Sequence, residues 1–153
     1  MIDHIKNFPK HIQDSLKNIK EDNLNLEAVG KVVIAGMGGS AIAGSILKDL
    51  FPEMDIVVER NYFPNTPIDE YTLVIISSYS GNTEETLSYY DYAVRLTEHA
   101  LVVTTGGELL KKAKSDNIKF HLLPKGYPPR SALGFTLTFL ISLFDKEGVS
   151  NID

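Results

Sequence analysis

The chain has 153 residues, 43% of them hydrophobic, and a formal net charge of −5 at pH 7; that suffices for one domain with its own core. A negative chain with no stripe of Lys and Arg excludes nucleic acid or an anionic membrane as the main partner, and the absence of cysteine excludes disulfides and thiolate metal sites. The sequence opens on Asp3 and His4 with no basic start and apolar core, and no apolar run approaches the roughly 20 residues of a membrane span, so a soluble, cytoplasmic protein is expected.

In chain order, Pro9 sits as a first-turn residue ahead of Ile12, Leu16 and Ile19, spaced by four and three. This predicts an amphipathic helix from about Pro9 to Lys20, in a segment 1–30 that packs on the domain proper. Lys31–Ala35 reads as a buried parallel strand, and Gly36-Met37-Gly38-Gly39-Ser40-Ala41 then opens a helix through about Leu50, stopped by Pro52. A strand at Asp55–Val58 precedes Arg60–Pro67, too rich in Pro and Asn for a helix. Further units follow: strand Thr72–Ile76, a helix to about Leu96, strand Ala100–Val103, a helix over Glu108–Lys114, strand Lys119–Leu122, and a helix from Ser131 to about Lys146. Gly148 ends that helix and residues 149–153 read as a tail or linker, leaving 31–148 as the domain. Alternating strands and helices predict an α/β fold, a doubly wound five-stranded parallel sheet of flavodoxin-like order 2-1-3-4-5. Ligands then bind at the switch point, outside the carboxyl ends of strands one and three.

Those two ends carry the distinctive residues. After strand three, Ser78, Ser80 and Thr83 supply hydroxyls, Gly81 lets the backbone approach a ligand, and Asn82 leads into a helix whose first turn has unpaired N–H groups. The dipole of that helix favours a nearby anion by roughly 0.3–1 kcal/mol, so the turn suits a phosphate without a Lys. A capping box of Asn82 and Glu85 is the plainer alternative. After strand one, Gly36, Gly38 and Ala41 match G-x-G-x-x-A with Glu59 some twenty residues on, which fits a nicotinamide dinucleotide. That reading leaves the hydroxyl turn without a role and lacks a crossover helix after strand two.

With both turns in place, the chain resembles a sugar isomerase (SIS) domain, and more closely the first half of bifunctional phosphoglucose/phosphomannose isomerases. The resemblance rests on Gly36–Ser40, Arg60-Asn61-Tyr62, Ser78–Thr86 and Pro129–Gly134 in that order. It implies that Ser78, Ser80 and Thr83, with Gly81 and Asn82 of the same turn, hold a sugar phosphate, that Gly38, Gly39 and Ser40 line the sugar site, and that Arg130 stabilises a cis-enediolate. It also implies a general base glutamate and a ring-opening histidine from a second domain and a partner subunit, outside this chain. No metal or organic cofactor is implied. A stand-alone sugar-phosphate sensor is the alternative from another class.

Arg130 has an argument of its own: at the start of a helix the dipole disfavours a cation, so an arginine there needs an anionic partner, either a ligand or a structural salt bridge. His4, His11, His99 and His121 have no metal-site spacing and read as packing or surface residues. Tyr89, Tyr90 and Tyr92 read as packing with one exposed member. The last helix is apolar all round, which predicts cover by a second domain or a homodimer partner.

Overall fold

In a computed structural model, residues 6–18, 24, 26 and 28–145 are described. Five runs rich in Val, Ile and Leu form the sheet, since β-branched side chains suit a pleated surface buried on both faces. They are β1 (Lys31–Gly36), β2 (Ile56–Glu59), β3 (Thr72–Ser78), β4 (Ala100–Thr104) and β5 (Lys119–Leu122). All pairings are parallel and the order is β2-β1-β3-β4-β5, as expected. Central β3 is buried at every one of its seven positions.

The helices are α1 (Phe8–Asn18), α2 (Gly39–Leu50), α3 (Glu84–Ala93), α4 (Gly107–Ser115) and α5 (Leu133–Asp145), with a 3-10 turn at Pro129–Ser131. Strand boundaries differ from expectation by one or two residues: β1 runs to Gly36 rather than Ala35, β2 spans Ile56–Glu59 rather than Asp55–Val58, β3 runs on to Ser78, and β4 to Thr104 rather than Val103. Helix α3 stops at Ala93 rather than Leu96, because the Arg95 and Leu96 amides bond to the Tyr92 and Ala93 carbonyls three residues back, tightening the last turn. Helix α5 begins at Leu133 and not at Ser131, because Pro128 and Pro129 lead into the 3-10 turn, closed by Ser131 N–H donating to the Pro128 carbonyl at 2.8 Å. The loop reading of 60–67 holds, with no helix between β2 and β3. Lys20, Lys146, Gly148 and the tail at 149–153 lie outside the described residues.

Alternation along the strands sorts the core into two layers. Ile34, Leu73, Ile75 and Leu101 face α2 and α5, meeting Leu47, Phe135 and Phe139, while Val33, Val74, Ile76 and Val102 face α3 and α4, meeting Tyr89, Tyr90 and Leu109. Each such buried side chain stabilises by about 1.5–3 kcal/mol, so the sheet is a rigid platform for the loops at its ends. Tyr89 and Tyr90 are buried and Tyr92 is exposed.

Helix α5 departs from expectation in a useful way. Its cover comes largely from within the chain, since α1 and α2 both pack along it. His11 stacks on Phe135 with ring centroids 4.6 Å apart, and Gly134 gives the Phe8 ring room, where a Cβ would stand 3.1 Å from it. The exposed large apolar side chains among the described residues include none from α5. Within the chain, the sheet takes one side of this apolar helix and two helices take others. Among the described residues, no helix is long and apolar enough to cross a membrane.

Candidate functional site

Strands β1 and β3 lie side by side with Gly36 opposite Ser77, so the turns that leave them emerge together over the sheet. Between them is a cleft of about 290 Å³. Gly38, Gly39 and Ser40 line one wall, Ser78, Ser80 and Thr83 the other, and Pro129 and Arg130 reach it from the 3-10 turn. The two turns singled out in the sequence thus meet at the switch point, where helix N-termini point at the ligand space.

The hydroxyl turn is built around internal hydrogen bonds. Ser78 Oγ lies 2.9 Å from Thr83 Oγ1 and accepts the Gly81 amide at 3.1 Å, and Ser80 Oγ accepts the Asn82 amide at 3.2 Å. Thr83 is the N-cap of α3, in an extended conformation, yet it makes no side-chain cap bond. The capping box of Asn82 and Glu85 is therefore not formed. Asn82 Oδ1 instead accepts the amide of Glu108 at the start of α4, at 2.9 Å. The first turn of α3 keeps N–H groups that no Thr83 cap satisfies, as an anion site requires.

Gly81 and Asn82 stand behind the cleft wall rather than on it. Gly81 has φ +71°, and a Cβ there would collide with the Gly106 carbonyl and come within 2.9 Å of Thr104 Oγ1. Both residues brace the turn against the end of β4. The Gly106-Gly107 pair that completes this contact escaped the sequence reading, although two adjacent glycines after a strand were the visible signal. Tyr79 and Met37 also line the cleft unforeseen.

On the other wall, Gly38 is the N-cap of α2 with φ 53° and ψ −123° and offers no side chain to the helix end. The dinucleotide reading fails at Glu59, which is 4% exposed. Its carboxylate accepts the Asn65 amide at 3.1 Å and that of Thr66 at 2.6 Å, so it closes the following loop and has no reach to a ribose. The Tyr89 hydroxyl sits beside Glu59 without completing a hydrogen bond; burial first, then the carboxylate, hold its pKa above the ordinary tyrosine range.

Arg130 is exposed and makes no ion pair among the described residues, which removes the structural salt bridge as its explanation. Its seat in the 3-10 turn, two residues before Ala132 leads into α5, also removes the dipole argument in its expected form. What remains is a cation with no ion pair among the described residues, at a cleft whose far wall is made of hydroxyls. Among the described residues, none of the side chains lining the cleft is a carboxylate or an imidazole. His11 and His121 stack on Phe135 and Phe139, the latter with centroids 3.7 Å apart, and serve the core; His4 lies outside the described residues.

No protein-family model matches the chain. Over 154 residues it is 40% identical to the bifunctional phosphoglucose/phosphomannose isomerase of Caldicellulosiruptor bescii, an alignment covering 97% of this chain and 45% of that protein. The chain is a homologue of the bifunctional phosphoglucose/phosphomannose isomerases. A second relative, the D-glucosamine-6-phosphate 4-epimerase of Sulfolobus acidocaldarius, is 32% identical over 92% of this chain and 47% of its own length. The chain spans about half the length of these curated relatives. Among solved structures, the tagatose-6-phosphate ketose/aldose isomerase from Escherichia coli superposes with a TM-score of 0.72, at 20% identity, over 96% of this chain and 47% of that one. At that identity the likeness is one of fold, the SIS domain fold.

Proposed function

We propose that this chain is the phosphosugar-binding domain of an aldose–ketose isomerase that interconverts glucose 6-phosphate or mannose 6-phosphate with fructose 6-phosphate. The observation that carries this is the convergence, in one cleft, of three hydroxyls, a helix N-terminus without a side-chain cap and an arginine with no ion pair among the described residues. Ser78, Ser80 and Thr83, with the first-turn N–H groups of α3, take the phosphate. Gly38, Gly39 and Ser40 leave the sugar carbons room against the backbone.

Isomerisation removes a proton from C2 of the open-chain aldose as the C1 carbonyl oxygen takes up the electron pair, giving a cis-enediolate; the O2 hydroxyl proton passes to O1, and a proton added at C1 leaves the carbonyl at C2. Arg130 stabilises the negative oxygen of that intermediate, a charge absent from the ground state. The base is contributed from outside this cleft wall, which bears no carboxylate or imidazole among the described residues. A second domain or a second copy of the chain supplies it in this reading, and the 1–153 chain alone turns over slowly.

Calorimetric titration with fructose 6-phosphate and with fructose tests the binding claim. The phosphorylated sugar is expected to bind at least a hundredfold more tightly, and Ser78→Ala with Ser80→Ala to abolish the difference. Equal affinity for both sugars would defeat the reading, and rapid isomerisation by residues 1–153 alone would defeat the placement of the base.

A further inference from the structure

Tyr79 stands between the two serines of the hydroxyl turn, but anion binding does not explain its side chain. The phenol reaches away from the turn to the segment that follows β5. Its Oη donates to the Pro124 carbonyl at 2.8 Å and accepts the Tyr127 amide at 3.1 Å. At the other end of the same residue, the Tyr79 carbonyl accepts both the amide and the hydroxyl of Thr105, at 3.1 and 2.8 Å. One residue is thus tied by its backbone to the end of β4 and by its side chain to residues 124–127.

That segment runs Pro124-Lys125-Gly126-Tyr127-Pro128-Pro129-Arg130. Gly126 has φ +93° and Pro128 and Pro129 have no N–H to donate, so the stretch ahead of the 3-10 turn has little regular backbone bonding to fix its path. The Tyr127 ring packs on His11 and Phe135, which fixes its inner side. The phenol of Tyr79 fixes it relative to the cleft. Arg130 follows three residues later, exposed and with no ion pair among the described residues to hold it.

We propose that Tyr79 is a positioning residue for Arg130, a latch that sets the guanidinium at a fixed distance from the phosphate grip by bonding Pro124 and Tyr127. This rests on the phosphosugar reading above. The latch joins the two ends of the ligand: the hydroxyl turn takes the phosphate, the latched segment brings the cation to the reacting carbons, and Tyr79 itself touches no reacting atom. Without the hydroxyl, the Pro124 carbonyl and the Tyr127 N–H lose their partner, and the arginine segment is free to shift while the serines stay in place.

The test uses two probes on the full chain. Inorganic phosphate reports the grip alone; 5-phospho-D-arabinonate adds a carboxylate where the enediolate oxygens form. Tyr79→Phe is expected to weaken the arabinonate about tenfold and phosphate less than twofold. In an Arg130→Ala background, the same substitution is expected to cost less than twofold for either probe. Equal losses for both probes, no loss for either, or an undiminished loss in the Arg130→Ala background would each overturn the latch. The parent protein supplies an independent check: the Tyr127 amide is expected to be protected from hydrogen exchange, and exchange at the rate of an unstructured peptide would overturn it. Failure of the parent to bind phosphate at all would overturn the phosphosugar reading and the latch with it, whereas binding without these losses overturns the latch alone.

Discussion

At the carboxyl ends of β1 and β3 the cleft measures about 290 Å³, while at the amino ends of β3 and β4 a wider depression of about 670 Å³ lies between Tyr71 and the segment Arg95–His99. The smaller space is the one proposed to hold an anion, and the reason is direction. In this parallel sheet the carboxyl ends of β1, β3 and β4 are each followed by a helix N-terminus, so partial positive charge and spare N–H groups gather at one end. The C-terminus of α3 points instead at the wide depression, bringing carbonyls and partial negative charge. Volume locates empty space; the polarity of the backbone decides which space holds a phosphate.

The most damaging way to break this contrast is Gly81→Ala. A positive φ with a side chain costs on the order of 1–3 kcal/mol, and the collision with Gly106 adds to that. Urea unfolding is expected to show the loss, and calorimetry the disappearance of fructose 6-phosphate binding; an unchanged midpoint would contradict the described turn. Next comes Arg130→Ala in the assembled isomerase. Turnover is expected to fall by about 10²–10³, the scale for losing one stabiliser of developing charge, with sugar-phosphate affinity changing far less. A loss confined to affinity would remove Arg130 from the chemistry.

Ser78→Ala is a smaller blow. It leaves the Gly81 amide only the Ser78 carbonyl, at 3.2 Å, and deprives Thr83 of its partner, so stability drops by about 1 kcal/mol and phosphate affinity about tenfold. Helix α3, which joins the two ends of the sheet, also sets an alkaline limit. Burial first, then Asp116, which accepts the Tyr90 hydroxyl at 2.9 Å, raise the pKa of Tyr90 above that of the unfolded chain. Below about pH 10 the group is neutral in both states and its contribution is complete; above that the folded state holds the proton more tightly, so stability falls as pH rises. Thermal melts from pH 7 to 11 are expected to stay flat and then decline, with a shallower decline in Tyr90→Phe. The smallest effect belongs to Arg95→Ala in the wide depression, for which less than a twofold change in fructose 6-phosphate affinity is expected; a larger one would move the site to the other end of the sheet.

Much of this was legible in the residues because periodicity and turn chemistry are local. Runs such as Lys31–Ala35 and Thr72–Ile76 announce buried strands by composition, and the Pro- and Asn-rich stretch after Glu59 announces the missing crossover helix, which places the switch point. The hydroxyl turn was visible for the same reason. Illegible were facts that depend on distant partners. Nothing local shows that Asn82 bonds Glu108 rather than capping its own helix, that Glu59 closes the loop at Asn65 and Thr66, or that Tyr79 reaches Pro124 and Tyr127. Helix α5 teaches the same lesson, since its all-round apolar pattern records burial without naming α1 as its cover.

Backbone amide shifts followed by NMR during titration with fructose 6-phosphate probe the meeting of the two turns most directly. Residues Gly38–Ser40 and Ser78–Thr86 are expected to shift together along one saturation curve, with Arg95–His99 unmoved. Shifts confined to one turn, or centred on Arg95–His99, would contradict a shared anion site at the carboxyl ends of β1 and β3.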